Sequence, residues 1–178
     1  SDLAMSSLYL TIHFITYGPK EGKMFGVLVV EVDGGLGFLA AYSGLLEGRN
    51  DWGYFVPPIF DAQQPDGYFK QKEREISALN QHSSSETQNL HKEMSQNLQL
   101  WLFQQYRILN AHGEIKDLVE IWRDYHQNPK IQKKFPLPPG GTGDCCAPKL
   151  LQYAYLQHLK PVCMAEFWWG PSPKSEVR

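Results

Sequence analysis

The chain has 178 residues, 42% of them hydrophobic, with a net charge of -2, which suits one domain, or one domain with an appendage, and excludes a globally basic nucleic-acid binder while leaving room for a local patch. Three cysteines, two of them adjacent, exclude a disulfide framework and point to a reducing compartment. No apolar run approaches the ~18–20 residues that span a bilayer and SDLAMSSLYL lacks the basic start of a signal peptide, so a soluble, cytoplasmic protein is expected.

In chain order, Ser1 to Ser7 read as an unstructured lead-in and Leu8 to Thr16 (LYLTIHFIT) as a strand. Met24 to Val32 and Leu36 to Ser43 are apolar runs around Asp33-Gly34-Gly35, which predicts a β-hairpin. Neither run alternates with polar residues, so the sheet is expected to be covered on both faces. Gly44 to Gly67 is rich in Gly, Pro, Asn and aromatics and predicts an irregular segment that lines a pocket or, more commonly for such loops, covers the core edge; Pro57-Pro58 argues against a central strand. Tyr68 to Leu109 has helical character. From Ser85 to Asn110 an apolar stripe (Leu90, Met94, Leu98, Trp101, Leu102, Phe103, Tyr106, Leu109) recurs mostly at spacings of three and four. Its polar first half predicts a projecting or coiled-coil arm with a buried end. Ala111-His112-Gly113 ends that helix. Glu114 to Gln127 predicts another, with Ile115, Leu118, Val119 and Trp122 on one face. Lys130 to Lys134 (KIQKK) reads as a small basic, solvated linker. Ala147 to Lys160 predicts a helix with Leu150, Leu151, Ala154, Tyr155 and Leu159 inward, and Val162 to Trp169 a buried strand. GPSPKSEVR reads as an interrupted loop. No internal repeat is visible.

The fold class that follows is α/β (α+β): a small mixed sheet with a hairpin, covering helices and a projecting helical arm. Residues 1–67 supply the hairpin and the irregular aromatic loop, and 68–128 the arm and a helix. Residues 129–178 supply a Gly-rich loop, a helix and a strand completing the same core.

The candidate chemistry gathers between Leu137 and Glu166. PPGGTGD is costly to order, since glycine loses the most backbone freedom on folding. Cys145 and Cys146 precede Pro148, which favours a first helical turn, and helix N-termini lower thiol pKa and attract anions. Asp144, Cys145, Cys146, Lys149 and Glu166 are therefore the candidate functional or vestigial site. A Cys/His pair is outweighed by a core-filling role, because none of the six histidines has a partner legible in sequence. Zinc nucleobase deaminases follow their first ligand by a glutamate two residues on, and later carry P-C-x-x-C. Here those positions are Ala147 and Pro148, no C-x-x-C occurs, and Cys163 stands alone in a strand. Metal-dependent deamination is disfavoured, and Cys145 is the sole candidate ligand for an unknown metal. The order hairpin, Cys-led helix, strand matches a deaminase-like layered core by analogy alone. Glu166 within an apolar strand calls for a partner, with Lys149 or Arg178 in view for an ion pair. GGTGD departs from GxxxxGK[ST], and Asp144 would repel a phosphate. FWWG at 167–170 reads as a core or interdomain filler before a base-stacking platform.

GKMFGVLVVE, LGFLAAYSG, YFVPPIFDAQQPDGYF, LFQQYRILNAHGEIKDL and, above all, PPGGTGDCCAPKLLQYAYLQHLKPVCMAEFWWGPSPKSEVR resemble the long N-terminal region of a subgroup of bacterial RluA-type RNA pseudouridine synthases. The similarity covers most of the chain from Gly22 onward. The family works through an aspartate in an H-R-L-D-type motif; no such motif occurs here, so no catalytic residue carries over. Relatives more often read GECAAPKLL, with alanine at the place of Cys146, and continue past the equivalent of Arg178 with further cysteines, so a metal site beginning at Cys145 would be incomplete in this sequence. The resemblance implies a non-catalytic N-terminal domain of a cytoplasmic isomerase, without cofactor or membrane contact. Its implied partners are RNA (rRNA or tRNA) and the C-terminal synthase domain, with self-association through the helical arm. The alternatives are a deaminase-like domain, degenerate or active, using Cys145, and a structural interaction module.

Overall fold

The computed structural model describes residues 22–79 and 84–171. The strand expected at Leu8 to Thr16, and Arg178, lie outside them. The chain divides into two compact units, Ser1–Pro58 with Asp144–Arg178, and Ile59–Gly143. The α+β class is as expected.

In the first unit, β1 (Lys23–Val32) and β2 (Gly35–Tyr42) form the expected hairpin. Asp33 and Gly34 turn it with φ of 50° and 76°, the paired left-handed residues of a tight two-residue hairpin loop. A 3-10 turn at Thr142–Asp144 leads into α5 (Cys146–Leu156), the last of the helices. At its end His158 adopts φ 56°. The Leu159 N–H reaches back to the Ala154 carbonyl at 2.8 Å, and that of His158 to Tyr155 at 3.1 Å. This is a Schellman reversal, and it turns the chain into β5 (Lys160–Trp169).

The sheet order is β2-β1-β5, and both pairings are antiparallel. Among the described residues the sheet is thus antiparallel throughout rather than mixed. β5 is also not the buried strand expected: among the described residues it is an edge strand, bonded only to β1, and nearly all of it is exposed. An edge position also accommodates Pro161, whose missing N–H would break a central ladder.

Leu28, Val30, Ala41, Cys146, Leu150 and Ala154 form one buried cluster under α5. Leu150 is fully buried, whereas Leu151 is only partly so. Gly26 makes this contact possible. A Cβ there would lie 2.6 Å from Cys146 Cβ and 3.0 Å from a Leu150 methyl, so only glycine lets the first turn of the helix approach the strand. The opposite face of the sheet carries Phe25 and Tyr42, which pack with Leu46, Trp52 and Phe55 of the irregular segment. That segment covers the core edge as expected, but only at one end. Phe38, Phe167 and Trp169 remain 59%, 44% and 37% exposed. The expectation of a sheet covered on both faces is therefore corrected among the described residues: one face lies under a helix and the other is partly open.

In the second unit, α1 (Tyr68–Leu79) packs against α2 (Ser85–Gln105). Ser84 caps α2 through the Thr87 N–H. Its early Leu90 is exposed, and Phe103 near its end is buried with Tyr106, Leu118 and Val119. The helix stops at Gln105, earlier than the apolar stripe predicts, because Arg107–Leu109 (β3) pairs with Ile115–Asp117 (β4). The Asn110 side chain accepts from the N–H groups of His112 and Glu114, and Gly113 takes φ 82°. Ala111-His112-Gly113 is thus a hairpin turn. The next helix, α3 (Leu118–Tyr125), begins four residues later than expected, at a capping box between Asp117 and Glu120. Pro129–Lys134, expected as a linker, is the short helix α4, capped by Asn128.

Candidate functional site

The residues singled out around Cys145 come together at the N-terminus of α5. Cys145 is the N-cap residue and makes no side-chain cap bond. Its place is taken from across the sheet: Glu166, opposite Gly26 in the β1–β5 register, accepts the Ala147 N–H at 3.1 Å. A carboxylate there satisfies one orphan donor and complements the helix dipole. Glu166 is exposed and caps the helix rather than pairing with Lys149; the alternative pairing with Arg178 lies outside the described residues.

Cys146 is fully buried, with its thiol 3.5 Å from the Met24 carbonyl. Burial, with a contribution from Glu166, pushes it up to about 11. Cys145 is exposed, yet partial burial of its sulfur and the neighbouring Glu166 and Asp144 charges also raise its pKa, against a smaller opposing pull from Lys149. This corrects the expectation that the helix start would depress it. The positive end of α5 is engaged by Glu166, and the net local field on the thiol is anionic. Both shifts favour the protonated thiol, a poorer nucleophile and metal ligand than the thiolate. Cys163, placed by its pattern inside a buried strand, is exposed at the sheet edge.

Lys149 is only 4% exposed. Its ammonium lies 5.1 Å from the centroid of the Tyr42 ring, a cation–π contact that offsets part of the desolvation. Burial lowers its pKa, and Asp144 opposes that shift. The Asp144 backbone carbonyl accepts from Gly44 at 3.2 Å and ties the helix start to the end of β2. Within the Gly-rich run before it, one glycine serves packing. Gly143 is buried, and a Cβ there would meet the Tyr106 ring at 2.5 Å.

Among the described residues no three His, Cys, Asp or Glu side chains gather as a metal-ligand set, and no helix is long and apolar enough to cross a membrane. Phe167 and Trp169 of the FWWG run stand on the open face beside Phe25, at centroid separations of 6.0 and 6.2 Å. A separate cleft of about 320 Å³ lies in the second unit, lined by Phe69, Ile76, Leu98, Leu102, Phe103 and Gln99, among others.

Sequence reasoning passed over Gly26 and Tyr42, which shape the site as much as the cysteines do. A lone glycine inside MFGVLVV was a legible signal of close backbone approach; nothing in the sequence pairs Tyr42 with Lys149. Comparison with family models, with curated proteins and with solved structures finds no match to this chain.

Proposed function

We propose that this chain is a non-catalytic accessory domain of a bacterial, cytoplasmic RluA-type RNA pseudouridine synthase, and that it positions RNA or the synthase domain. The family reading is supported by the residues of the Pro138 to Arg178 stretch, which resemble that family most specifically. One observation carries the non-catalytic half: the Glu166 carboxylate occupies the α5 start beside Cys145, where burial and that charge raise the thiol's pKa. Cys146 and Leu150 fill the core beneath it. These side chains hold a helix in place, and none is poised to attack. The open aromatic face of the sheet favours positioning of a protein partner, since contiguous exposed apolar groups commonly mark protein contacts.

Two measurements test the reading. Tritium release from 5-labelled uridine RNA by the purified chain should stay at background; turnover overturns the non-catalytic assignment. RNA mobility shifts should show the logarithm of the affinity falling linearly with the logarithm of salt concentration. Failure to bind RNA even at low salt removes RNA positioning and leaves the protein-contact role.

A further inference from the structure

The corner formed by α3 and α4 carries more charge and more aromatic surface than its packing needs. Arg123, Lys130, Lys133 and Lys134 are exposed, and none shares an ion pair with a carboxylate among the described residues. The one carboxylate between Ile121 and Phe135, Asp124, is held by Lys116 at 2.7 Å. Lys130, Lys133 and Lys134 have i, i+3, i+4 spacing, which sets helical residues on one face.

Beside them Tyr125 is 80% exposed and Phe135 52%. Tyr125 meets His126 edge-on at 4.8 Å, and His126 meets Trp122 at 4.1 Å. The corner is braced. Gln132 donates to the carbonyls of His126 and Arg123 at 2.7 and 3.2 Å. Trp122 donates to the Phe135 carbonyl at 2.9 Å. An exposed ring on a fixed support, next to cations with no carboxylate to satisfy, is the pairing that binds single strands: bases stack on the ring and phosphates meet the lysines. A merely solvated basic face accounts for the lysines but not for a tyrosine left four-fifths in water.

We propose that the α3–α4 corner binds single-stranded RNA, with a base stacked on Tyr125 and the backbone phosphates on Lys130, Lys133 and Lys134. This deepens the RNA-positioning reading and rests on it.

The test is fluorescence anisotropy of the whole chain with a labelled single-stranded oligouridine, using Tyr125→Ala, Tyr125→Trp and a Lys130/Lys133/Lys134→Ala triple variant. Loss of one stacked base should weaken binding about five- to hundredfold, and Tyr125→Trp should restore it. The triple variant should lower the salt slope by about 2, at ~0.7 per phosphate contact on a single strand. Unchanged thermal melting shows that these exposed substitutions leave the fold intact. Binding that persists in all variants overturns the corner while RNA positioning stands. No binding of any RNA by the unaltered chain overturns both. Equal affinity for duplex RNA overturns the stacking role. A preference for phosphatidylserine vesicles or an acidic peptide, lost in the same variants, overturns RNA as the occupant.

Discussion

On one face of β1, Gly26, Leu28 and Val30 lie closed beneath α5. On the other, Phe25 is covered by Phe55 and Trp52, while further along Val27 and Val29 are only half-buried and the neighbouring Phe38 is exposed. Both faces come from one apolar run, MFGVLVV. The difference between them lies in a missing atom: without a Cβ at Gly26, a helix can sit down on that side alone. An apolar run therefore marks a strand that can be buried, and the small residue within it marks which side a helix occupies.

The comparison breaks first, if at all, at Leu150. Leu150→Ala should cost about 2–5 kcal/mol in urea unfolding, the range for a fully buried leucine, and Leu151→Ala clearly less, since Leu151 is only partly buried. Equal losses would mean that α5 presents a different side to the sheet. Cys146 gives the next largest effect. The folded thiol keeps its proton to about 11, whereas an unfolded thiol loses it near ~8.5. Between those values the native state binds more protons than the unfolded state. Stability from this group is complete below the lower value and falls as pH rises toward the upper, by at most about 3–4 kcal/mol. Lys149, with its lowered pKa, acts with the opposite sign, so the readout is a difference: Cys146→Ala should lose less stability than the unaltered chain between pH ~8 and ~11.

Gly26→Ala sharpens the contrast between faces. Its added methyl has no room against Cys146 and should cost about 1–3 kcal/mol by overpacking, measured by thermal or urea melts. Glu166→Ala removes the carboxylate from the α5 start and should cost about 0.5–1 kcal/mol, with a smaller loss in high salt. Phe38→Ser on the open face should change stability by no more than about 0.5 kcal/mol. A larger loss in the isolated chain would show that this face is covered in solution.

The hairpin was legible because Asp33-Gly34 supplies the left-handed turn between two apolar runs, and the α5 start because Pro148 lies in its first turn. The end of α2 was not. The apolar period runs on through Tyr106 and Leu109, but pairing of Arg107–Leu109 with Ile115–Asp117 competes for the same backbone groups and wins. The candidate site was half legible. Its residues do converge, yet their roles followed from position: Glu166 caps a helix because the register sets it opposite Gly26.

By itself the sequence determined the α+β class, the hairpin and its turn, the irregular segment over the core edge, and the grouping of α5 and β5 with that hairpin. Turn chemistry and hydrophobic period act between near neighbours, and those are properties a string of residues carries. Tertiary structure alone decided that, among the described residues, β5 lies at an edge and one face of the sheet stays partly open, and that burial raises the pKa of Cys145 and Cys146. Each depends on which distant atoms share a small volume. Solvation and Coulomb energies follow that distance in space, and separation along the chain does not report it.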